Sequence, residues 1–408
     1  MDGILGIVSE YNPFHNGHLL HLQQSKELTN TAFSVAVMSG NFVQRGDTSL
    51  VDKWAKAQMA LESGVDLVIE LPTIYALSSA ENFADGAVKI LDSLGVVDYI
   101  SFGSEIGEIG PLDDVANILY KEPKEFSSLI TTQLKSGLSY PKAREIALQQ
   151  FFGNSKKYSE VLNNPNNILG VEYLKALKRR KSHITPITIK RNYSDYNSTT
   201  IKNGYASATA IRTMIQEKKN VHYVVPYESY EILDEKIVSG KIVPSIKVFE
   251  KEIIYNLRKM TLDEIANLPD VTEGLENKIK IAANNCNNLD DLISKIKSKR
   301  YTQSRIQRIL LYSLLNITQK DINISKRVTP YIRVLGFNKH GKRIISAISA
   351  ANPKLQIIVS VKKFMENASD NNLKKMMAKD IFATNVYTLA FENEPLANLD
   401  YTHKIIEV

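Results

Sequence analysis

The first hundred residues alternate short apolar runs with segments of helical periodicity, and this pattern constrains the fold more than any other feature of the chain. The runs have the length and composition of buried strands: Ile4–Val8, Phe33–Met38, Leu67–Leu71 and Tyr99–Phe102. The helix-like segments between them are His18–Leu28, Val51–Glu62 and Ala80–Leu94. Strands that alternate with helices form βαβ units around a parallel sheet, with helices covering both faces. The sequence therefore predicts an α/β fold built on a Rossmann-like, doubly wound parallel sheet.

The chain is too long to form one compact domain. Its 408 residues exceed the ~100–200 residues typical of a single domain. We predict a catalytic domain over residues 1–240, which ends with a strand at Ile184–Lys190, a polar loop over 192–204 and a helix capped by Ser207. We predict a mostly helical C-terminal region over residues 241–408. Its last part suggests a small α/β tail, formed by Tyr331–Leu335, Arg343–Ala350 and Leu355–Val361.

Composition excludes several classes of protein. No apolar run reaches the ~20 residues needed to span a bilayer, and Met1–Ser9 lacks the basic start of a signal peptide. A single cysteine, Cys286, excludes an internal disulfide and a cysteine-based zinc site. We therefore expect a cytoplasmic protein that does not interact with a membrane. The net charge of +7 is compatible with a polyanionic partner such as RNA but does not require one.

The loop after the first predicted strand carries the strongest functional signal. Residues 6–18 end that strand and open a helix, at the edge where ligands of open parallel sheets bind. Backbone N–H groups at a helix N-terminus attract phosphate, and Gly17 lets the main chain approach it closely. His15 and His18 can donate hydrogen bonds to phosphate oxygens, which helps most where charge grows on a leaving pyrophosphate. The pattern predicts a nucleotide site with His15 and His18 as catalytic residues.

Two other interpretations of the histidines are weaker. His15, His18 and His21 are three residues apart, which does not match the His-x-x-x-His pair of a zinc helix. We therefore predict no metal-binding residues. The three side chains might simply share a helix face or a turn, but their position directly after the first strand favours a function.

A second segment, Ser207–Arg212, complements the first. Ser207 and Thr209 supply hydroxyls at a helix N-terminus, and Arg212 offers a bidentate guanidinium to a phosphate. The alternative for this segment alone is a simple capped amphipathic helix. Together the two segments resemble the HIGH-motif nucleotidyltransferase superfamily, whose members transfer AMP or activate acids as adenylates.

Five separated segments narrow the resemblance, and they occur in order: Glu10–His18, Val37–Gly46, Gly64–Pro72, Phe102–Glu105 and Pro165–Gly170. Over about residues 3–215 the chain resembles the bacterial tRNA(Met) cytidine acetate ligase family. The resemblance implies that ATP and acetate form acetyl-adenylate and pyrophosphate. The exocyclic amine of the wobble cytidine of elongator tRNA(Met) would then attack the acetyl group. ATP is a substrate in this scheme, Mg²⁺ is expected with its phosphates, and no bound organic cofactor is implied.

The resemblance also implies an ATP pocket, carried over residue by residue. Its residues would be Ile7, Val8, Ser9, Glu10, Tyr11, Asn12, Pro13, Phe14, His15, Asn16, Gly17, His18, Leu19, Leu20, Gly103, Asn166, Asn167, Arg191, Ser207, Thr209 and Arg212. For the two asparagines the alternative is a helix-capping turn. For Arg191 it is a solvated strand end.

Three basic residues follow the second predicted strand, on the same rim as the first loop. We expect one of Arg45, Lys53 and Lys56 to hold the acetate carboxylate or a phosphate. The alternative is a surface loop with solvated charges. The sequence does not indicate which residues form the acetate pocket.

A basic cluster in the C-terminal region is the candidate tRNA surface. It contains Lys295, Lys297, Lys299, Arg300, Arg305 and Arg308, with Tyr301 among them. We predict that the cations contact the tRNA backbone and that Tyr301 can stack on a base. The alternative is a solvated helix face. The sequence does not indicate protein partners, the oligomeric state or how the anticodon is recognised.

Two other functions remain open on the sequence alone. One is a small-molecule adenylyltransferase or acid–amine ligase of the same superfamily, although a single domain of ~150–200 residues would suffice for that. The other is an RNA-binding regulatory protein with a residual nucleotide fold. The presence of both histidines and of Arg212 argues against such an inactive site.

Overall fold

The computed structural model describes residues 3–138, 140–153, 155, 158, 161–191, 204–298, 300–393 and 396–408. Lys299 and the greater part of the predicted polar loop, 192–203, lie outside the described residues.

The strands are β1 (Ile4–Ser9), β2 (Phe33–Ser39), β3 (Phe42–Val43), β4 (Asp47–Thr48), β5 (Leu67–Leu71), β6 (Tyr99–Ser104), β7 (Thr185–Lys190), β8 (Ile332–Phe337), β9 (Ile357–Ile358) and β10 (Ile406–Glu407). The helices of the N-terminal half are α1 (Asn16–Thr29), α2 (Lys53–Glu62), α3 (Thr73–Ala76), α4 (Ala80–Ser93), α5 (Ile109–Lys121), α6 (Lys124–Lys135), α7 (Tyr140–Phe151), α8 (Pro165–Arg180), α9 (Ala208–Gln216) and α10 (Tyr227–Val238). Those of the C-terminal half are α11 (Glu250–Lys259), α12 (Leu262–Ala266), α13 (Leu275–Asn285), α14 (Leu289–Ile296), α15 (Gln303–Leu314), α16 (Gln319–Arg327), α17 (Lys339–Ala351), α18 (Val361–Asn367), α19 (Asn371–Tyr387) and α20 (Leu399–Thr402).

The N-terminal strands form the predicted parallel sheet. They lie in the order β5-β2-β1-β6-β7, and every neighbouring pair is parallel. The chain therefore starts in the middle of the sheet, adds strands on one side and then on the other. Such a reversal leaves a crevice at the carboxyl ends of the central strands. The α/β prediction is confirmed, and the loop after β1 lies at this crevice.

The sheet is buried on both faces because its strands contribute side chains to two hydrophobic cores. In β2, Val35 and Val37 enter one hydrophobic cluster, and Ala36 and Met38 enter the other. Alternate side chains of a strand point to opposite faces, so a strand between two layers must be apolar throughout. This explains why the sequence shows nearly continuous apolar runs here, such as Val35–Met38.

The C-terminal strands extend the same sheet. β8 pairs antiparallel with β5, and β9 and β10 pair parallel with β8. The sequence suggested a separate small tail, but these strands instead cover the edge that β5 would otherwise leave open, which satisfies its backbone hydrogen bonds. The boundary at residue 240 stays a prediction, and the sheet spans it. Among the described residues, no helix is long and apolar enough to cross a membrane.

Candidate active site

Two histidines organise the N-terminus of α1. His15 is the N-cap residue, and its Nδ1 accepts a hydrogen bond from the Gly17 N–H at 3.1 Å. The backbone N–H of His15 donates in turn to Nδ1 of His18 at 3.3 Å. The two rings stack with their centroids 3.7 Å apart. Because Nδ1 accepts in both rings, the proton of each neutral imidazole lies on Nε2, which remains able to donate.

Burial keeps both rings neutral. It lowers the pKa of His15 to about 3, with the charges of Arg191 and Arg212 acting in the same direction. Burial, with the charge of Arg191 acting in the same direction, holds the pKa of His18 well below its usual value. At neutral pH each ring therefore keeps the single Nε2 proton of a neutral imidazole. Both rings can donate a hydrogen bond without taking up a second proton.

The histidines face a cavity of about 590 Å³ at the predicted crevice. The predicted ATP residues that line it are Ile7, Val8, Ser9, Glu10, Tyr11, Asn12, His15, Gly17, His18, Leu20, Gly103, Asn166, Arg191, Ser207, Thr209 and Arg212. A volume of this size suits a nucleotide-sized ligand.

Five predicted ATP residues do not line the cavity and have structural contacts instead. Pro13 and Phe14 belong to the loop before the helix, and Phe14 is fully buried in the core. Asn16 donates to the carbonyl oxygens of Gly204 and Tyr223. Leu19 packs against the same core as Phe14. Asn167 accepts hydrogen bonds from the backbone N–H groups of Glu105 and Ile106, so it ties α8 to the segment after β6 and does not form the helix-capping turn given as the alternative.

The second predicted motif, Ser207–Arg212, contacts the loop of the first motif. Ser207 caps α9 by accepting from the Ala210 N–H at 3.1 Å, as predicted. Arg212 donates to the carbonyl oxygen of Asn12 at 2.9 Å and to Oγ1 of Thr209 at 3.2 Å. The two motifs, nearly 200 residues apart, therefore share one hydrogen-bonded wall.

Gly103 and Arg191 are neighbours at the ends of β6 and β7. A Cβ added at Gly103 would lie 3.2 Å from Cγ of Arg191, so glycine leaves the room this side chain occupies. Arg191 itself is tied to the sheet by its N–H, which donates to the Ser104 carbonyl oxygen at 2.9 Å. Asn166 lies on the same rim and donates to the Glu105 carboxylate at 2.7 Å.

Of the three basic candidates after β2, Arg45 lines the cavity and the two lysines do not. Lys53 is buried between the carboxylates of Glu70 and Asp400, at 2.9 and 2.7 Å. The ammonium of Lys56 donates to three carbonyl oxygens, including that of Glu10 at 3.0 Å. Lys56 therefore supports the loop after β1 from behind, whereas Lys53 belongs to a buried ion pair network with Glu70 and Asp400. The sequence shows the charges of both lysines, but it does not show that Asp400, on α20, pairs with Lys53.

The basic cluster of the C-terminal region is less exposed than the sequence suggested. Arg308 is buried and forms an ion pair with Asp270 at 3.1 Å, and Arg305 donates to the Asp270 carbonyl oxygen. Tyr301 is also buried, which is a correction to the expectation that it stacks on a base. Lys295 and Arg300 are exposed but pair with acids, Asp291 and Glu273. Lys297 is exposed and makes a long 3.4 Å contact with Gln303.

Helix α15, from the C-terminal region, forms part of the cavity wall through Ser304 and Gln307. Its position is fixed by the loop between β3 and β4. Gly46 in that loop has φ of +78°, and a Cβ there would lie 2.5 Å from the backbone nitrogen of Arg308. The loop and the helix are therefore in direct contact, and the site is built from both halves of the chain.

Sequence reasoning missed several lining residues: His21, Gln24, Val43, Gln44, Asp47, Ala80, Phe83, Phe102, Pro165, Ile168, Leu169, Tyr173, Ile189, Lys190, Tyr205, Ala206, Ala208, Ser304 and Gln307. Those at strand ends, such as Ile189 and Lys190, have a usable signal because the carboxyl end of a parallel strand faces the ligand. The lining residues on α4, α8 and α15 have no such signal, because in the sequence they look like ordinary core or surface residues of a helix. Among the described residues, no group of three or more His, Cys, Asp or Glu side chains is placed to hold a metal ion.

Comparisons with known proteins agree with this geometry. A family model described as HIGH Nucleotidyl Transferase matches residues 2–400, so the fold and the site define a nucleotidyl transferase of the HIGH class. The chain is 49% identical to the tRNA(Met) cytidine acetate ligase of Thermoanaerobacter sp. (strain X514), with 100% of both chains covered. It is 42% identical to the protein of that name from Acetivibrio thermocellus, covering 99% of each. This chain belongs to the tRNA(Met) cytidine acetate ligase family.

Solved structures agree with this family assignment. Apo Thermotoga maritima TmcAL matches with a TM-score of 0.94 and 36% identity, covering 100% of this chain and 99% of that one. Thermotoga maritima TmcAL bound with alpha-thio ATP matches with a TM-score of 0.91 and 35% identity, covering 99% of each chain. An ATP analogue therefore binds to a protein of this same fold.

Proposed function

We propose that the protein activates acetate with ATP and transfers the acetyl group to the exocyclic amine of the wobble cytidine of elongator tRNA(Met). The observation that carries this proposal is the pair of neutral Nε2–H donors, from His15 and His18, beside Arg212 on one nucleotide-sized cavity. The names of the relatives support the acceptor and the acid. The ATP analogue on the Thermotoga protein supports the nucleotide.

In the first step an acetate oxygen attacks the α-phosphorus of ATP, and the bond to pyrophosphate breaks. Negative charge grows on the departing pyrophosphate. The two imidazole donors, the N-terminus of α1 and the Arg212 guanidinium are all fixed before the reaction, so they stabilise that charge without rearranging. Mg²⁺ would arrive with the phosphates and neutralise part of their charge.

In the second step the amine nitrogen of the cytidine attacks the acetyl carbonyl carbon. The carbon–oxygen bond to the AMP phosphate breaks, and AMP and a proton leave. The mixed anhydride is reactive enough for direct transfer, so no covalent intermediate on the enzyme is required. We expect both steps to occur in the cytoplasm, where tRNA and ATP are available.

We propose that the tRNA extends from the cavity onto the C-terminal region, because α15, a helix of that region, contributes Ser304 and Gln307 to the cavity wall. We propose that exposed cations, with Lys297 as the leading candidate, contact the RNA backbone. Arg305 and Arg308 would support this surface from within rather than touch the RNA, since Asp270 engages both. The boundary between catalytic and RNA-binding regions, near residue 240, is part of this proposal.

The proposal is tested by incubating the protein with ATP, radiolabelled acetate and total bacterial tRNA, followed by nucleoside analysis. We expect ATP-dependent label in N4-acetylcytidine, and Arg212→Met as a control should abolish it. Label that stops at acetyl-adenylate would support acid activation but reject this RNA as acceptor. No ATP consumption with acetate would reject the acid-activation chemistry and favour a small-molecule adenylyltransferase.

A further inference from the structure

The third histidine of α1, His21, belongs to a short chain of polar side chains beneath the cavity. His21 lines the cavity, and its Nε2 lies 2.9 Å from Oγ of Ser101 on β6. Oγ of Ser101 lies in turn 2.7 Å from Oγ of Ser25 on α1. Both serines are fully buried, so each hydroxyl must find its hydrogen-bond partners within the protein.

The direction of each hydrogen bond in this chain follows from its last member. Oγ of Ser25 lies 2.6 Å from the carbonyl oxygen of His21, and a carbonyl can only accept, so the single hydroxyl proton of Ser25 is donated there. Ser101 must then donate its own proton to Ser25, and it accepts from Nε2–H of His21. The neutral ring of His21 therefore carries its proton on Nε2 and keeps a lone pair on Nδ1.

The lone pair of His21 is available to a ligand. Among the described residues, Nδ1 of His21 has no hydrogen-bond partner, and it is not one of the fully buried atoms in that condition, so it opens to the cavity. Burial lowers the pKa of His21 to about 4, with the charge of Arg191 acting in the same direction. The ring therefore stays neutral at neutral pH, and Nδ1 remains an acceptor.

An acceptor at this position selects the chemistry of its partner. His15 and His18 present Nε2–H donors, which suit phosphate oxygens, whereas Nδ1 of His21 would repel them. The group that binds to His21 must carry an O–H or an N–H. In ATP those groups belong to the nucleoside, as the two ribose hydroxyls and the amine of adenine.

The position of His21 also matches the nucleoside. It follows His18 by three residues on one helix face, ~4.5 Å further along the helix axis. Its anchor, Ser101, and Gly103 are two residues apart on β6, so their Cβ positions face the same side of the sheet. Gly103 and Arg191 line the cavity there. β6 lies on one side of β1, whereas the β3–β4 loop, which contacts α15, follows β2 on the other side.

We infer that Nδ1 of His21 accepts a hydrogen bond from the nucleoside of ATP, and that His21 thereby discriminates among nucleotides. The inference rests on ATP as the nucleotide of the proposed function and adds a specificity-determining residue to that site. Helix α1 then binds the nucleotide in two ways, with donors toward the phosphates and an acceptor toward the nucleoside. A nucleotide that lacks the matching donor would leave Nδ1 without a partner and bind less tightly.

The test measures equilibrium binding of ATP with Mg²⁺ to the full chain by calorimetry. Three analogues each lack one donor: 2′-deoxy-ATP, 3′-deoxy-ATP and the triphosphate of purine riboside, which has no amine. His21→Asn and His21→Leu are matched variants of nearly the same shape. The amide oxygen of asparagine can take the place of Nδ1 as acceptor, whereas leucine offers none. Both variants lose the contact with Ser101, so a difference between them reports the acceptor alone.

For one of the three analogues, His21→Leu should lower the ratio of the analogue Kd to the ATP Kd by ~2–10-fold, the value of one hydrogen bond between neutral groups. His21→Asn should keep the wild-type ratio for that analogue, whatever its absolute affinity. Wild-type ratios for all three analogues in His21→Leu would overturn the inference. An equal loss in both variants would also overturn it, because the effect would then come from the contact with Ser101.

These outcomes are separable from the proposed function, because nucleotide binding requires neither acetate nor tRNA. A Kd ratio that depends on His21, in a protein without acetate-dependent exchange, would support the inference and reject the acid activation. Unchanged ATP binding in His21→Leu, together with loss of acetyl transfer to tRNA, would assign the acceptor to the wobble cytidine and overturn the inference.

Discussion

His15 has two roles in the structure, and two substitutions separate them. Its Nδ1 accepts the Gly17 N–H as the helix cap, and its Nε2–H faces the cavity. His15→Asn retains a good N-cap residue but removes the Nε2–H donor, whereas His15→Ala removes both. The cap is worth ~1 kcal/mol of stability. The loss of one donor to growing charge costs ~2.7–4 kcal/mol in the transition state, or ~10²–10³ in rate.

The assay therefore has two parts. Acetate-dependent ATP–pyrophosphate exchange should fall ~10²–10³-fold in both variants. Urea unfolding should show the alanine variant less stable by about 1 kcal/mol and the asparagine variant close to the wild type. Near-wild-type exchange in His15→Asn would refute the donor role, and equal stability of the two variants would refute the cap.

The pH dependence provides an independent check. The folded pKa of His15, about 3, is below the unfolded value, so below pH ~6.5 the unfolded chain binds more protons than the native one. The contribution of His15 to stability is thus fully present above pH 6.5 and is lost as pH falls toward 3, at up to ~1.4 kcal/mol per unit. His15→Asn should weaken this slope. The exchange rate should show no loss from His15 between pH 5 and 8, and a fall with a midpoint near 6.5 that disappears in the variant would contradict the assignment.

Three further predictions follow from contacts away from the nucleotide. Lys53→Met leaves two buried carboxylates, those of Glu70 and Asp400, with Arg333 as the one remaining cation that pairs with both. Urea unfolding should show a loss of ~3–5 kcal/mol, because a buried charge is left incompletely compensated; a loss below ~1 kcal/mol would contradict this. Gly46→Ala places a methyl group against the backbone of α15 and adds strain at a positive φ. It should destabilise the protein by ~1–3 kcal/mol and raise KM for acetate in exchange assays; unchanged values would show that the loop and the helix adjust freely. Lys297→Glu should weaken tRNA binding in filter assays, most at low salt, and leave acetyl-adenylate formation unchanged, since the side chain is exposed and does not line the cavity; loss of both activities would contradict a role limited to RNA binding.

The local part of the fold was predictable because its signals are local. Nearly continuous apolar runs in β2 and β5 indicated strands buried on both faces, and the strand–helix alternation indicated the parallel order. The nucleotide loop was predictable for the same reason, since His15, Gly17 and His18 lie within four residues and cap one helix.

The rest depended on contacts between distant residues, which no single sequence displays. Lys53 looked like a ligand residue because its partner Asp400 lies 347 residues away. Arg308 looked like an RNA contact because Asp270 was not visible as its partner. In each case the sequence shows the chemical type of a side chain, but the fold determines which residues it contacts and whether it faces solvent or the interior.

The antiparallel pairing of β8 with β5 has a consequence for synthesis on the ribosome. β5 is made within the first 71 residues, but the strand that covers it ends at residue 337, and Asp400 follows later still. The growing chain must therefore carry an open sheet edge, with Lys53 and Glu70 lacking their later partners, through most of translation. Open edges invite pairing with other chains. We expect truncation at residue 240 to yield an aggregation-prone fragment rather than an isolated enzyme, so chaperone contact during elongation would be concentrated on this edge.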